Sequence, residues 1–381
     1  MEKSKVAVVQ CTSYDEQSVH DAVRDGIELL GGPDQFVAPG EKLLLKPNVL
    51  AGDHPDRCIS THPSVLKAAG RLFRSRASEI SYGDSPGFGS VVSQLEKAQL
   101  KQAAEETDMT LADFEEGRDM SFPRSPFTKR FLLANGVLET DAIISLCKLK
   151  THGLTRVTGA IKNQFGCIPG AAKKGFHLKM PDSRDFAKML VALTLMIRPR
   201  LYIMDGIMAM EGNGPRGGDP VPMNVLLLSN DPVALDAVMC SLIELNPEYV
   251  PAMVPGREWG LGTYLPDEME VLGNSTAGLR NGDFKIDRGP FRNVLPQGIM
   301  SFVKNLTTVR PVIDSNKCVA CGVCVKVCPV DPKAVDWHRG KKSEPPTYRY
   351  SRCIRCFCCQ ELCPEGAISV VPGPINPFGR R

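Results

Sequence analysis

Eight cysteines towards the C-terminus have the residue type and the spacing of iron–sulfur ligands. They form two runs of one pattern, Cys318-x2-Cys321-x2-Cys324-x3-Cys328-Pro329 and Cys353-x2-Cys356-x2-Cys359-x3-Cys363-Pro364. In proteins with two four-iron clusters, the first three cysteines of a run bind one cluster and the fourth binds the other. The sequence therefore predicts two [4Fe–4S] clusters, one held by Cys318, Cys321, Cys324 and Cys363 and the other by Cys353, Cys356, Cys359 and Cys328.

Two other uses of these cysteines fit the spacing less well. Disulfides would require an oxidising compartment, and the first residues lack the apolar core of a secretion signal. Zinc sites use two ligand pairs for each metal, often separated by a dozen or more residues, rather than two complete four-cysteine runs. Cys358 is surplus to the eight ligands, and we interpret it as a buried thiol beside a cluster.

Length and composition limit what the rest of the chain can be. With 381 residues and a formal net charge of +3, the chain is long enough for at least two domains and too weakly basic to suggest a nucleic-acid-binding protein. No apolar run is long enough to cross a membrane. Fourteen cysteines without a secretion signal indicate a reducing compartment, so we expect a cytoplasmic protein.

Strand-like and helix-like segments alternate before the cysteine runs. Short apolar segments at 6–11 and 42–49 are separated by an amphipathic pattern over 15–30. This alternation predicts an α/β fold, with a mainly parallel sheet and flanking helices. We expect this domain over residues 1–250, an irregular extension and linker over 251–310, a small α+β ferredoxin-like iron–sulfur domain over 311–372 and a tail over 373–381.

Polar loops follow several of the predicted strands, at the sheet edge where α/β proteins bind ligands. The loops are Lys-Pro-Asn at 46–48, Gly-Asp-Ser-Pro-Gly at 83–87, Lys-Leu-Lys-Thr-His at 148–152, Ile-Lys-Asn-Gln-Phe-Gly-Cys at 161–167 and Glu-Gly-Asn-Gly-Pro at 211–215. Four residues in them are candidates to hold a carboxylate or a phosphate together with helix N–H groups: Lys148, Lys150, Lys162 and Asn163. The alternative is that the lysines are solvated ends of secondary structure.

Further candidates serve catalysis or backbone contacts. His152 and His177 are candidate proton donors, because an unperturbed histidine titrates near neutral pH, but either could be structural. Cys167 is a candidate thiolate because Lys162 lies near it in sequence, with a core cysteine as the alternative. Gly212 and Gly214 belong to a segment with four glycines in eight residues, which would form a mobile lid, an anion-binding backbone nest or a plain surface loop.

The loop motifs, in this order, resemble those of the DUF362 family, whose members often carry a C-terminal ferredoxin module. The resemblance covers residues 5–245, including Ser-Asn-Asp-Pro-Val-Ala-Leu-Asp at 229–236, and the segment Cys-Ile-Arg-Cys-Phe-Cys-Cys at 353–359. It implies a DUF362 domain followed by a two-cluster ferredoxin-type domain. It implies no activity, because the family is named for lacking one.

These residues favour an iron–sulfur electron-transfer oxidoreductase that delivers electrons to an anionic substrate bound by the α/β domain. The loops lack a dinucleotide fingerprint, so we do not expect a nicotinamide cofactor. Two alternatives stay open: a non-catalytic electron carrier or assembly factor that recognises a redox partner protein, and a regulatory protein whose clusters sense redox state. We expect a ferredoxin-like donor or acceptor as the partner, and the basic residues between 332 and 355 predict that it is acidic.

Overall fold

The computed structural model of this protein describes residues 3–290 and 308–373. A nine-stranded sheet with helices is followed by a small domain built from paired short strands. The strands are β1 Ser4–Gln10, β2 Lys42–Lys46, β3 Glu79–Tyr82, β4 Thr110–Leu111, β5 Gly117–Ser121, β6 Arg130–Ala134, β7 Ala142–His152, β8 Arg156–Thr158, β9 Leu201–Glu211, β10 Asp219–Ser229, β11 Met269–Gly273, β12 Arg310–Ile313, β13 Val335–Asp336, β14 Thr347–Tyr348 and β15 Ile368–Val371. The α-helices are α1 Glu16–Leu29, α2 Pro63–Phe73, α3 Val91–Lys97, α4 Leu100–Glu105, α5 Asn135–Leu138, α6 Ala160–Asn163, α7 Gly170–Lys179, α8 Ser183–Ile197, α9 Pro232–Leu242, α10 Met253–Glu258, α11 Val323–Val327 and α12 Cys358–Glu361.

The large sheet is mixed but mainly parallel. Its strand order is β11-β1-β10-β9-β7-β2-β3-β4, with β8 paired to β7. Strands β4, β3, β2, β7 and β9 run parallel to one another, whereas β8 is antiparallel to β7 and β10 is antiparallel to both β9 and β1. The predicted class, an α/β fold with a mainly parallel sheet, is confirmed.

Apolar runs explain why the central strands form. Every residue of β7 is buried, which is typical of parallel strands covered by helices on both faces. The side chains of Leu43–Leu45 in β2 and Leu190–Leu193 in α8 are fully buried in the same core. The parallel strands therefore end together at one well-packed edge, where the polar loops begin.

Strand β11 shows that the first domain extends beyond the boundary predicted at residue 250. Its backbone pairs with β1 in parallel, and Phe284 lies in the same core. The predicted irregular linker over 251–310 is therefore wrong for its first part. The strand escaped sequence analysis because it is short and most of its side chains are at least partly exposed. Residues 291–307 of that linker and 374–381 of the predicted tail lie outside the described residues.

The small domain consists of two antiparallel strand pairs around the cysteine runs. Strand β12 pairs with β15, and β13 pairs with β14. Across residues 3–290 and 308–373, no helix combines the length and the apolar character needed to cross a bilayer.

A buried ion pair joins the carboxyl ends of β2 and β3. Lys46 Nζ lies 2.8 Å from Asp84 Oδ1, and the two side chains are 0% and 3% exposed. Asp84 Oδ2 also accepts a hydrogen bond from the backbone N–H of Val49 at 2.6 Å. A Cβ atom on Gly166 would lie 1.7 Å from Asp84 Oδ1 and 2.7 Å from Lys46 Nζ. Glycine is therefore needed at 166 to leave room for this pair.

We predict that Gly166→Ala separates Lys46 from Asp84 and lowers the free energy of unfolding by about 3 kcal/mol or more, since splitting a buried ion pair leaves a desolvated charge. Gly175→Ala is the matched control, because no atom lies within 4 Å of a Cβ there and alanine favours a helix by up to about 1 kcal/mol. Urea unfolding monitored by circular dichroism measures both. Equal midpoints for the two variants would contradict the proposed packing of Gly166.

Candidate functional site between the two domains

The glycine-rich segment 211–218 fastens the small domain to the sheet domain. Gln360 Nε2 donates hydrogen bonds to the carbonyl oxygens of Asn213 and Gly214, at 2.9 and 3.0 Å. Arg216 donates to the carbonyl oxygen of Leu362 at 2.9 Å. The segment therefore forms part of the contact between the two domains, and it is not a lid over a bound ligand.

Gly212 and Gly214 do not form the anion-binding nest that the sequence suggested. The hydroxyl group of Thr151 donates to the carbonyl oxygen of Gly212 and accepts from the N–H of Gly214, both at 3.1 Å. Asn163 is similarly occupied, because its amide group donates to Ser145 Oγ at 2.9 Å and accepts from Asn48 Nδ2 at 3.0 Å. The prediction that Gly212 and Gly214 bind an anion is therefore corrected, whereas Asn163 also lines the cavity between the two domains, and its anion-binding role stays a prediction.

Two cavities in the small domain are each lined by four of the predicted cluster ligands. One, of about 350 Å³, contains Cys318, Cys321, Cys324 and Cys363. The other, of about 330 Å³, contains Cys328, Cys353, Cys356 and Cys359. Each set combines three cysteines of one run with the fourth cysteine of the other run. Within the described residues, no group of histidines, cysteines or carboxylates is close enough to hold a single metal ion. Four thiols around a larger, mainly apolar space fit a four-iron cluster.

The two ligand sets differ in their exposure. Cys321 is exposed, and its neighbour Val319 is 62% exposed. In the other set, Cys356 and Cys359 are buried, and the hydroxyl group of Tyr348 donates to Cys359 Sγ at 3.2 Å. We call these the outer set and the inner set. The outer set borders solvent, and the inner set lies towards the sheet domain.

A third cavity, which is partly open to solvent, lies between the two domains. Loops after β2 and β3, the end of β7 and residues of α6 and α7 form the wall on the sheet-domain side. The opposite wall consists of Val327, Cys358, Glu361 and Leu362 from the small domain. Because Val327 precedes Cys328 and Cys358 precedes Cys359, this wall lies beside the inner set, and Leu362, which precedes Cys363, also connects it to the outer set. We call this space the interdomain cavity.

Positive charge dominates the interdomain cavity. Its lining includes four lysines, Lys150, Lys162, Lys173 and Lys174. It also includes two carboxylates, each with a cationic or imidazole partner: Asp84 pairs with Lys46, and Glu361 Oε1 lies 3.0 Å from His152 Nε2. The ammonium group of Lys162 makes no hydrogen bond or ion pair with any described residue and lies 5.4 Å from the ring centre of Phe165. This arrangement favours an anionic ligand.

Burial perturbs two of these lysines strongly. Lys150 Nζ donates to Asn48 Oδ1 at 2.8 Å, and burial, aided by the nearby charge of Lys162, lowers the pKa of Lys150 to about 7. Burial also lowers the pKa of Lys173 to about 7, while its ammonium group contacts the carbonyl oxygen of Ser85. A bound anion would favour the charged form of both lysines.

The two predicted histidines line the same cavity but differ in their hydrogen bonds and contacts. His152 Nδ1 accepts hydrogen bonds from the N–H groups of Leu154 and Thr155, at 3.0 and 3.3 Å, so the neutral ring carries its proton on Nε2. Burial lowers the pKa of His152. His177 stacks on Phe186 with 4.7 Å between ring centres, and burial lowers its pKa to about 4. Both rings are therefore neutral near pH 7, and His152 presents an N–H group.

Lys148 and Cys167 do not line the cavity. Lys148 Nζ donates to Asp205 Oδ2 and to the hydroxyl group of Tyr14, both at 2.8 Å. Asp205 stands opposite Lys148 on β9, so the prediction of an anion-binding role for Lys148 is wrong. Cys167 is fully buried, and burial raises the pKa of its thiol to about 12. Its thiol is therefore protonated, and the predicted thiolate is not supported.

Three residues of the cavity were missed in the sequence. Lys173 and Lys174 follow the start of α7, a position where the helix dipole disfavours cations, and that mismatch could have drawn attention to them. Glu361 carried no comparable signal. Its position beside His152 arises only from the contact between the two domains.

The chain is a DUF362 protein with a ferredoxin-type domain. Residues 43–241 match the domain of unknown function DUF362, and residues 310–364 match the 4Fe-4S dicluster domain. The chain therefore belongs to the DUF362 family, and its small domain is of a type that binds iron–sulfur clusters. A curated relative is the thylakoid-associated protein sll1697 of Synechocystis sp., which is 36% identical over 257 residues, or 67% of this chain and 79% of the relative.

Solved structures with similar folds are distant. A protein of Thermotoga maritima is 13% identical with a TM-score of 0.39, and the match covers 59% of this chain and 57% of that chain. The lactate racemase apoprotein of Thermoanaerobacterium thermosaccharolyticum is 11% identical with a TM-score of 0.41, over 64% of this chain and 57% of that chain. The chain thus spans less than two thirds of either protein, and similarity at this level carries no functional argument.

We predict that anion binding in the interdomain cavity weakens as pH rises above about 7. Lys150 and Lys173 have pKa values of about 7, and a bound anion raises them, so binding takes up protons. Affinity is then fully present below the pKa of the free protein and falls by up to about tenfold per pH unit for each lysine above it. Besides burial, the charges of Lys162 and Lys148 lower the pKa of Lys150, whereas those of Asp84 and Glu361 raise it.

Sulfate is the suitable probe, because it does not titrate in this range. Calorimetric titration at constant ionic strength between about pH 6 and about pH 9 measures the effect. An affinity that stays constant or rises with pH would show that neither lysine contacts the anion.

Proposed function

We propose that this chain is an iron–sulfur oxidoreductase that transfers electrons to an anionic substrate in the interdomain cavity. The observation that carries the proposal is the composition of the cavity walls. One wall presents the ammonium groups of Lys150 and Lys162, and the other presents Cys358, the chain neighbour of an inner-set ligand. We propose that both ligand sets bind [4Fe–4S] clusters, which supply single low-potential electrons when bound.

The lysines hold the anion and fix its position. Lys162 has no other partner among the described residues, so its ammonium group is available for a charge-assisted hydrogen bond worth about 1.5 to 3 kcal/mol. Lys150 uses two of its three N–H donors, on Asn48 and on the carbonyl oxygen of Ile59. Phe165 and Leu362 add apolar surface to the lining. A substrate bound there lies against the inner-set wall.

Lys150 is a better proton donor to the reduced substrate than the predicted histidines are. A general acid works best when its pKa lies near the working pH, and the pKa of Lys150 is about 7, whereas that of His177 is about 4. The Nε2 atom of His152 lies 3.0 Å from Glu361 Oε1, so His152 orients Glu361 at the cavity wall and does not serve as the proton donor. Each electron pair added to the substrate takes up to two protons, and the donor of the electrons is a reduced ferredoxin-like protein.

A redox partner would meet the chain at the outer set. The hairpin of β13 and β14 borders both sets, because Val335 and Tyr348 line the inner-set cavity, while a Cβ atom on Gly322, next to Cys321, would lie 2.6 Å from the ring of Trp337. Five of the basic residues predicted to attract a partner are exposed on or near this hairpin: Arg339, Lys341, Lys342, Arg349 and Arg352. Arg355 is buried and Lys333 donates to the carbonyl oxygen of Cys328, so these two do not contribute. The exposed group supports an acidic partner.

The cavity favours an enzyme over the electron carrier or assembly factor. A carrier needs an exposed cluster and a docking surface, and the outer set alone would provide both. It has no need of polar groups that converge in a cavity beside the inner set, which is a feature of ligand sites.

We predict that Lys162→Ala weakens substrate binding about ten- to a hundredfold, because it removes one charge-assisted contact, at unchanged iron content. The ligand for this measurement is first identified by mass spectrometry, as an anion that is retained by anaerobically purified wild-type protein. Lys326→Ala, at an exposed lysine of α11 outside the cavity lining, is the control and should bind normally.

The same anion should reoxidise chemically reduced wild-type protein, with visible absorbance as the readout. If the retained anion binds but leaves the reduced protein unchanged, the oxidoreductase proposal fails. Equal binding by wild type and Lys162→Ala would instead remove Lys162 from the site.

A further inference from the structure

The start of helix α7 concentrates positive charge that no acidic residue of the helix's own first turn offsets, and the nearby carboxylate of Asp84 is already paired with Lys46. Gly170, its first residue, lines the interdomain cavity, and the N-cap residue Pro169 has no side chain that could accept a hydrogen bond from the helix. The first turn contains no acidic residue, and Lys173 and Lys174 follow it. The free N–H groups and the dipole at a helix start already favour negative charge, so the two lysines add repulsion. An anion at this position would relieve it.

Buried polar groups without partners point independently to a ligand in the same cavity. His177 is 6% exposed and Thr158 is 2% exposed. Among the described residues, His177 Nδ1 and Thr158 Oγ1 have no hydrogen-bond partner, and both residues line the cavity. A polar atom that is buried and unsatisfied is costly, so such atoms are usually satisfied by water or a ligand. His177 and Thr158 thus belong to the lining of the same cavity as Gly170, the first residue of α7.

The lysines around this space are more numerous than a carboxylate requires. The ammonium groups of Lys162 and Lys173 lie 5.4 and 5.7 Å from the ring centre of Phe165, so they gather around one side chain. Lys174 lines the same cavity. A carboxylate carries one charge and two oxygens, whereas a phosphoryl group carries up to two charges and three terminal oxygens. Of these two groups, the phosphoryl group is the better match to three lysines, helix N–H groups and the hydroxyl group of Thr158.

We infer that the substrate is a phosphate ester, with its phosphoryl group bound at the start of α7 by Lys162, Lys173 and Lys174. The inference deepens the proposed function and rests on it only in treating the interdomain cavity as the substrate site. The rest of the ester then occupies the space between α7 and the wall formed by Cys358 and Leu362. This places its reducible part beside the inner set.

Phenyl phosphate and benzoate test this inference, because they share a ring and differ in the anionic group. Calorimetric titration of the anaerobic protein with both clusters, at constant ionic strength, should show phenyl phosphate binding at least about tenfold more tightly than benzoate. Lys174→Gln should weaken phenyl phosphate about fivefold or more and leave benzoate less affected. Lys179→Gln, at an exposed lysine in the last turn of the same helix, should change neither affinity.

Lys173→Gln should weaken phenyl phosphate as well, and Lys173→Arg should restore most of it. Lys174 is exposed, so its variant keeps the test valid if replacement of Lys173 prevents folding. Benzoate binding as tightly as phenyl phosphate would overturn the phosphoryl assignment and leave the proposed function standing. If inorganic phosphate binds as tightly as phenyl phosphate, the inference of a phosphate ester is wrong and the site binds free phosphate. Failure of the proposed function itself is seen separately, in the reoxidation of the reduced protein.

Discussion

Buried positive charge at the carboxyl edge of the sheet is the constraint on which the rest of the structure depends. Lys46, Lys148 and Lys150 all end in the interior, where an isolated ammonium group is strongly disfavoured. Asp84 neutralises Lys46 and Asp205 neutralises Lys148, with 2.8 Å between charged atoms in both pairs. Lys150 has only uncharged acceptors, on Asn48 and Ile59. The protein therefore leaves one part of this edge, the part around Lys150 and Lys162, without a local counter-charge.

The ferredoxin-type domain completes that part of the edge. It supplies Glu361 beside His152 and the thiol of Cys358, while Gln360 and Arg216 hold the domains together. The same docking contact thus brings the lysines and the inner set of cysteines to two walls of one cavity, as the proposed function requires. Removing the small domain would remove the cluster ligands and also one wall of the cavity. Truncation therefore cannot separate anion binding from electron transfer.

The sequence predicts the regular parts of this arrangement and misses those that depend on long-range contacts. Apolar periodicity identifies the strands and the α/β class, and the cysteine spacing predicts the ligand sets that the structure brings together around two cavities. Lys150 and Lys162 were placed in one pocket because they follow strand ends. Lys148 was misassigned because its partner Asp205 lies on a strand that is distant in sequence. Gly212 and Gly214 were misassigned because nothing local shows that the small domain docks on them.

The most direct test of the central claim is the electron paramagnetic resonance spectrum of the reduced protein, with and without a saturating anion bound in the interdomain cavity. The inner set adjoins the cavity through Val327 and Cys358, whereas the outer set adjoins it only through Leu362, which precedes Cys363, so the account predicts that the anion changes the signal of the inner-set cluster most. The signal of the cluster at the outer set should change less, and Lys162→Ala should abolish both changes. An identical spectrum at full occupancy, or a change confined to the outer set, would contradict the account.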